Sequence, residues 1–144
     1  MIMAEHPSDK KFMQFLDFLR EFISELNDLS QEGDVLLVEG TRDAEAMRGV
    51  GYRGVMVTIS SIRRGNSKAR LGASRRVIIM TDLDREGRQL AARYAKSFTH
   101  SGLAISLLHR KRLLVASRGV FRHVENLRRF AYRFGPEGTR RSEI

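Results

Sequence analysis

Four short apolar stretches, separated by segments of helical spacing or by turns, constrain this chain more than any other feature. Val35-Leu36-Leu37-Val38, residues 54–59, Val77-Ile78-Ile79-Met80-Thr81 and residues 103–108 are all of strand length, and the first is a continuous run that lacks the alternation of a half-exposed strand. Strands without alternation are covered on both faces. Strands that alternate with helices pair in parallel, with the helices packed on the sheet. The expectation is an α/β fold: a four-stranded, mostly parallel sheet flanked by helices.

The flanking segments complete this outline. Phe12, Phe15, Leu16, Leu19, Phe22, Ile23 and Leu26 recur at steps of three and four, which predicts an amphipathic helix over residues 10–29, capped by Ser8 or Asp9, whose stripe packs into the core or serves a dimer. A short helical stretch follows the first strand and stops at Gly49-Val50-Gly51. Residues 63–76 read as a basic loop with room for one helical turn. Asp82-Leu83-Asp84-Arg85-Glu86-Gly87 is expected to lead into a helix with Leu90, Ala91, Tyr94, Ala95 and Phe98 on its apolar face, closed by Ser101-Gly102. Residues 110–135 space their apolar groups as one or two basic helices. Gly135-Pro136-Glu137-Gly138 ends them, and a frayed tail follows. The expected organisation is an N-terminal helix and turn over 1–34, an α/β core over 35–109 and a basic helical extension over 110–144.

Composition narrows the function. The 144 residues suit one domain. With no cysteine, neither a disulfide framework nor a thiolate zinc site can be built. No apolar run approaches the length of a membrane span and no signal peptide is visible, so a soluble cytoplasmic protein without membrane contact is expected. Lys and Arg number 26 against 17 Asp and Glu, a formal charge of +9. Residues 63–76 hold six basic residues and no acid, and residues 110–144 hold ten basic residues against three acids. Such clustering favours an anionic partner, nucleic acid first, although an Arg-rich surface also follows from heat adaptation.

The acids are placed differently. Glu39 ends the first strand and Asp82 the third, so both fall at the carboxyl edge of the sheet, where open parallel sheets bind ligands. Asp84 follows at spacing two, which in extended backbone turns both carboxylates to one side. Hard oxygen ligands that leave room for waters and phosphate suit Mg2+, with Mn2+ as an alternative. Three acids without a cation would repel one another, so a metal or a basic loop must compensate. Acids after strands also cap helices, a role that suits Asp43 and Asp84 singly. Gly40 and Gly87 serve as turn residues or let a phosphate approach the backbone. Ser60 and Ser61 either line the same edge or form a turn. His6, His100, His109 and His123 show no ligand spacing and read as surface or helix-end residues.

Glu39-Gly40-x-x-Asp43 after an apolar strand, with Asp82-x-Asp84-Arg85-x-Gly87-Arg88 after a second, closely resembles the Toprim domain shared by bacterial primases, type IA topoisomerases and small ribosomal-RNA maturases. The likeness covers residues 35 to about 108. It implies a four-stranded parallel sheet in which Glu39 is a general acid or base and Asp82 and Asp84 hold magnesium, with Asp43, which matches the primase-like form of the first motif, in support at the metal. Arg85 and Arg88 look suited to phosphate at the start of a helix. The chain is too short for a topoisomerase, and Tyr52, Tyr94 and Tyr132 lack a second domain to present them. A primase's zinc module needs cysteines that are absent. Small stand-alone Toprim proteins fit best, and Val124-Glu125-Asn126 is a faint echo of the maturases.

The expected function is that of a magnesium-dependent nuclease or phosphodiester-transfer enzyme on structured RNA, with DNA second, working as a homodimer or within a larger processing complex. Arg63, Arg64, Lys68, Arg70, Arg110, Lys111 and Arg112 are expected to grip the backbone. The alternative is a non-catalytic nucleic-acid-binding module, a subunit of an RNA-processing or DNA-repair complex. A receiver-like or nucleotide-binding domain with an acidic pocket is a third candidate.

Overall fold

In the computed structural model, which describes residues 7–118 and 120–131, a four-stranded all-parallel sheet carries helices on both faces. The elements run α1 (Pro7–Gln31), β1 (Asp34–Val38), α2 (Thr41–Gly49), β2 (Met56–Thr58), α3 (Ile59–Arg63), α4 (Lys68–Gly72), β3 (Arg76–Ile79), α5 (Arg85–His100), β4 (Ile105–Ser106), α6 (Leu108–Ala116) and a 3-10 helix (Val124–Phe130). Strand order is β2-β1-β3-β4, which makes β1 and β3 the adjacent central strands. The α/β architecture and the added N-terminal helix agree with the expectation. The glycine-proline breaker and the tail after it lie outside the described residues.

The continuous apolar runs divide their side chains between two cores. Leu36, Val38, Ile78 and Met80 face one side, where α1 brings Phe15, Leu19, Phe22 and Leu26 against Met47, Leu113 and the 3-10 helix residues Val124, Leu127 and Phe130. Val35, Leu37, Val77 and Ile79 face the other, against Leu71 of α4 and Ala91 and Phe98 of α5. The aromatic stripe of α1 is therefore core: Phe15 stacks among Phe18, Phe121 and Phe130, with ring centres 5.2 to 6.0 Å apart. Offset and edge-on aromatic pairs of this kind add to plain burial. α1 already contains Ser8 and Asp9, the expected caps, and so starts earlier than its apolar spacing indicated.

Two strands are shorter than their apolar runs. Thr58 closes β2 because its side-chain oxygen accepts from the Ser61 amide at 3.0 Å and caps α3, which turns Ile59 into the first residue of a helix. β4 stops at Ser106 and α6 begins at Leu108, two residues before the expected basic extension. Within residues 63–76 the single expected turn is α4. Gly33 makes the bend into β1 at φ +108°, a left-handed conformation that suits glycine. Among the described residues, no helix is long and apolar enough to cross a membrane.

Candidate metal centre

The parallel register Leu37↔Ile79 brings the ends of β1 and β3 out together. Glu39 follows the first strand, and Met80-Thr81-Asp82 follow the second, tied back by the Met80 amide on the Leu37 carbonyl at 2.7 Å. The two acidic motifs then bond directly, the Asp82 amide donating to Glu39 Oε2 at 2.8 Å. Asp84 precedes α5 and accepts the Gly87 amide on Oδ1 at 2.7 Å. Asp43 accepts the Gly40 amide on Oδ2 at 3.0 Å. Both aspartates therefore cap helices, as their positions suggested. Capping and ligation are compatible at Asp84, because the Gly87 bond engages Oδ1 and leaves Oδ2 for a second partner.

Gly87 is required by contact. A Cβ at this position would lie 1.8 Å from the Asp82 carbonyl oxygen, closer than any side chain tolerates. The first turn of α5 is thereby pressed onto the acidic turn, and the buried Thr81 hydroxyl donates to the Gly87 carbonyl at 2.6 Å.

Charge accumulates at this edge. Burial pushes the Glu39 carboxyl above its ordinary range, and the neighbouring charges of Asp82, Asp43 and Asp84 push it further against the bond from the Asp82 amide. Burial likewise raises Asp43, helped by Asp82. The opposing positive charge comes from Arg110. This buried guanidinium donates through Nε to Thr81 Oγ1 at 3.1 Å and through Nη2 to the Asp82 carbonyl. Burial lowers its pKa while Asp84, Glu39 and Asp82 hold it up, and a guanidinium stays charged throughout. Arg110, expected on a nucleic-acid surface, instead braces the acidic turn from within.

A contribution that local spacing did not reveal comes from the C-terminal segment. The Val124 amide donates to Asp82 Oδ1 at 2.7 Å. The Leu83 amide donates to the Arg122 carbonyl at 2.7 Å. Between these anchors, His123 places Nδ1 3.5 Å from Asp82 Oδ2 and 3.5 Å from Asp84 Oδ2. Asp82, Asp84 and His123 thus present three ligand atoms within 4.8 Å of one another, a group able to hold a metal ion. His123 does sit at a helix end, as its sequence position indicated, yet it faces the acids. The only sequence signal was the faint Val124-Glu125-Asn126 echo. His109, read as a surface or helix-end residue, is buried, with Nδ1 at 3.0 Å from Ser106 Oγ and Nε2 at 3.1 Å from Glu25. His100 ends α5 in solvent, and His6 lies outside the described residues.

The basic residues divide between structural and open positions. Arg75 and Arg76 both clasp the buried Asp34, at 2.8 Å each. Arg70 donates to the Met56 carbonyl at 3.1 Å, and Arg112 bonds Glu25 at 2.6 Å. Arg63, Arg64, Lys68, Lys111, Arg85 and Arg88 are exposed. A cleft of about 390 Å³ opens beside Asp84, and Arg85, Arg118 and Arg122 line it. A larger cleft of about 510 Å³, bounded by Arg48, Arg53 and Arg70, lies at the amino edge of the sheet, away from the acids. The Ser60 amide donates to the Glu39 carbonyl at 3.3 Å, so the start of α3 borders the site.

The chain is similar to known proteins in sequence and in fold. The Toprim domain family matches residues 34–118. A UPF0292 protein of Methanosarcina barkeri is 35% identical over 115 residues, covering 78% of this chain and 79% of its own length. A UPF0292 protein of Methanocaldococcus jannaschii is 30% identical over 121 residues, covering 83% and 92% respectively. A solved structure of a protein from Aquifex aeolicus superposes with a TM-score of 0.62 at 26% identity, covering 74% of this chain and 94% of that one. These matches carry the domain and its fold. They do not extend to the narrower likeness to primases.

Proposed function

Because this chain belongs to the Toprim domain family, whose chemistry is metal-dependent and directed at nucleic acid, we propose that it is a magnesium-dependent nuclease or phosphodiester-transfer enzyme acting on structured RNA. The observation that carries the reading is the convergence of Glu39, Asp82 and Asp84 where the two central strands end side by side. The donor set fits a divalent cation: two carboxylate oxygens, Asp82 Oδ2 and Asp84 Oδ2, face one point, and the neighbouring acids leave local negative charge for a cation to offset.

Asp82 and Asp84 would hold the ion, which when bound polarises a phosphoryl oxygen and neutralises developing charge. Glu39 is half-buried and binds a proton more readily than an ordinary glutamate, which suits it to take one from a nucleophile or return one to a leaving group. Its Oε2 is held by the Asp82 amide, so the carboxyl is oriented before substrate arrives. Arg85, Arg118 and Arg122 line the adjoining cleft, where planar guanidinium groups can meet phosphate oxygens. Arg88 and the amino end of α5 extend the same positive surface. Exposed Arg63, Arg64, Lys68 and Lys111 are available for contacts further along the backbone.

The test is a panel of structured RNAs and DNA duplexes incubated with Mg2+ or Mn2+, comparing the wild type with Glu39→Gln and Asp82→Asn. Cleavage of RNA that both substitutions abolish is the expected result. Equal activity in all three proteins removes these residues from the chemistry. The non-catalytic reading has one observation in its favour: the Val124 amide already engages Asp82 Oδ1, so that acid is partly covered. Tight binding without cleavage of any substrate would decide for it.

A further inference from the structure

His123 lies beyond residues 34–118 and outside both acidic motifs, yet three features direct its ring to the same point as the two aspartates. First, both neighbours of His123 are anchored to the acidic turn by backbone bonds: Arg122 through its carbonyl to the Leu83 amide, Val124 through its amide to Asp82 Oδ1, each at 2.7 Å. The backbone at His123 is thereby held beside the acids, and its half-exposed side chain lies next to them. Second, Oδ1 of Asp82 and Oδ1 of Asp84 are already engaged by the amides of Val124 and Gly87, so each acid offers Oδ2, the atom that faces the imidazole. Third, the buried side chains of Phe121, Val124, Leu127 and Phe130 fix the segment to the core on α1.

Nδ1 of His123 stands 3.5 Å from both Asp82 Oδ2 and Asp84 Oδ2, longer than the roughly 2.7–2.9 Å of a close charge-assisted hydrogen bond. Metal bonds of about 2.1 Å allow two ligand atoms on one ion to be up to about 4.2 Å apart, and 3.5 Å falls inside that limit.

We propose that His123 is a third protein ligand, and that it shifts the preference of the site from magnesium toward manganese or another first-row transition ion. The inference rests on the reading of Asp82 and Asp84 as metal ligands. The chemical reason is donor type: carboxylate and water oxygens suit magnesium, whereas an imidazole nitrogen adds affinity for the later divalent ions.

The experiment uses the full chain and Mn2+ as the probe. Pulsed electron paramagnetic resonance of the bound ion should show coupling to an imidazole nitrogen in the wild type and none in His123→Ala. In competition titrations His123→Ala should lose at least about tenfold in Mn2+ affinity, the lower bound for losing even an outer-sphere partner, and less in Mg2+ affinity. A protonated His123 that merely neutralises the acids predicts the reverse sign, since removing a competing cation would tighten metal binding. Bound Mn2+ without nitrogen coupling, or unchanged or tighter binding in His123→Ala, overturns the assignment of His123 while leaving Asp82 and Asp84 as ligands. A wild type whose metal affinity matches that of Asp82→Asn overturns both. Thermal melting of His123→Ala without metal shows whether the fold is retained, and His123→Gln, whose amide oxygen replaces the nitrogen, should keep the fold and lose the coupling.

Discussion

The Val124 amide reaches Asp82 Oδ1 at 2.7 Å across 42 residues of sequence. The acidic turn and the C-terminal 3-10 helix are therefore one structural unit, and disturbing the core under the helix should be felt at the acids. Phe130 is fully buried against Phe12, Phe15 and Phe121. Phe130→Ala should cost about 3–5 kcal/mol in urea unfolding and weaken metal binding under native conditions. Phe98→Ala, in the core on the other face of the sheet, is the control: a comparable stability loss with metal affinity retained. Equal metal affinity in the two variants would show that the 3-10 helix does not support the site.

Gly87→Ala tests the close approach of α5 to the turn. Its Cβ would overlap the Asp82 carbonyl, so helix and turn must separate. We expect a loss of at least about 1–3 kcal/mol, the usual cost of overpacking, together with loss of metal binding at temperatures where the protein remains folded. A variant with wild-type melting and wild-type affinity would contradict the contact.

The raised Glu39 carboxyl, driven first by burial and then by its acidic neighbours, makes stability depend on pH in a defined sense. A group whose folded pKa exceeds its unfolded value contributes stability that is fully present below the unfolded value, here 4.5, and lost as pH rises through the folded one. Asp34 runs the other way. Burial alone would raise it, but Arg75 and Arg76 hold it low, so its contribution disappears as pH falls through its depressed value. Glu39→Gln keeps an oxygen for the Asp82 amide and removes the charge. Without metal it should melt above the wild type at neutral pH, and the difference should close toward about pH 4.5. A gap that does not change with pH would rule out Glu39 ionisation as its source.

Binding of nucleic acid should separate the open arginines from the structural ones. Arg85→Ala, Arg118→Ala and Arg122→Ala, which open the cleft beside Asp84, should each reduce the slope of log affinity against log salt by about one. Arg75→Ala should leave that slope unchanged and lower stability instead, because its partner Asp34 is buried. Identical slopes for all four would place the nucleic acid elsewhere.

Much of the outline was legible from local pattern. The runs at 35–38 and 77–80 are apolar at every position because each strand has a core on both sides, and Glu39, Asp43, Asp82 and Asp84 are tied to those strands by fixed short spacing. The strand ends were less legible. Ile59 and Leu108 are apolar and extend the runs by eye, but side-chain capping by Thr58 and the early start of α6 convert them to helix. The fate of each charged residue was the least legible. Nothing near Arg110 in the sequence distinguishes it from Lys111, yet the direction of α6 buries one and exposes the other. His123 is held near the acids by Phe121 and Phe130, which pack against Phe12 and Phe15 more than a hundred positions earlier, a relation that no local spacing encodes.

Asp34 sits at the opposite end of β1 from Glu39. It opens β1 opposite Arg76 in the register, and Arg75 and Arg76 grip its carboxylate from the start of β3. That clasp works as an alignment gauge for the two central strands. A slip of one residue would carry Glu39 about 3.3 Å past the turn at Asp82 and send its side chain to the opposite face. Errors introduced at one end of the sheet would therefore be read out at the other, roughly 17 Å away along five residues of strand.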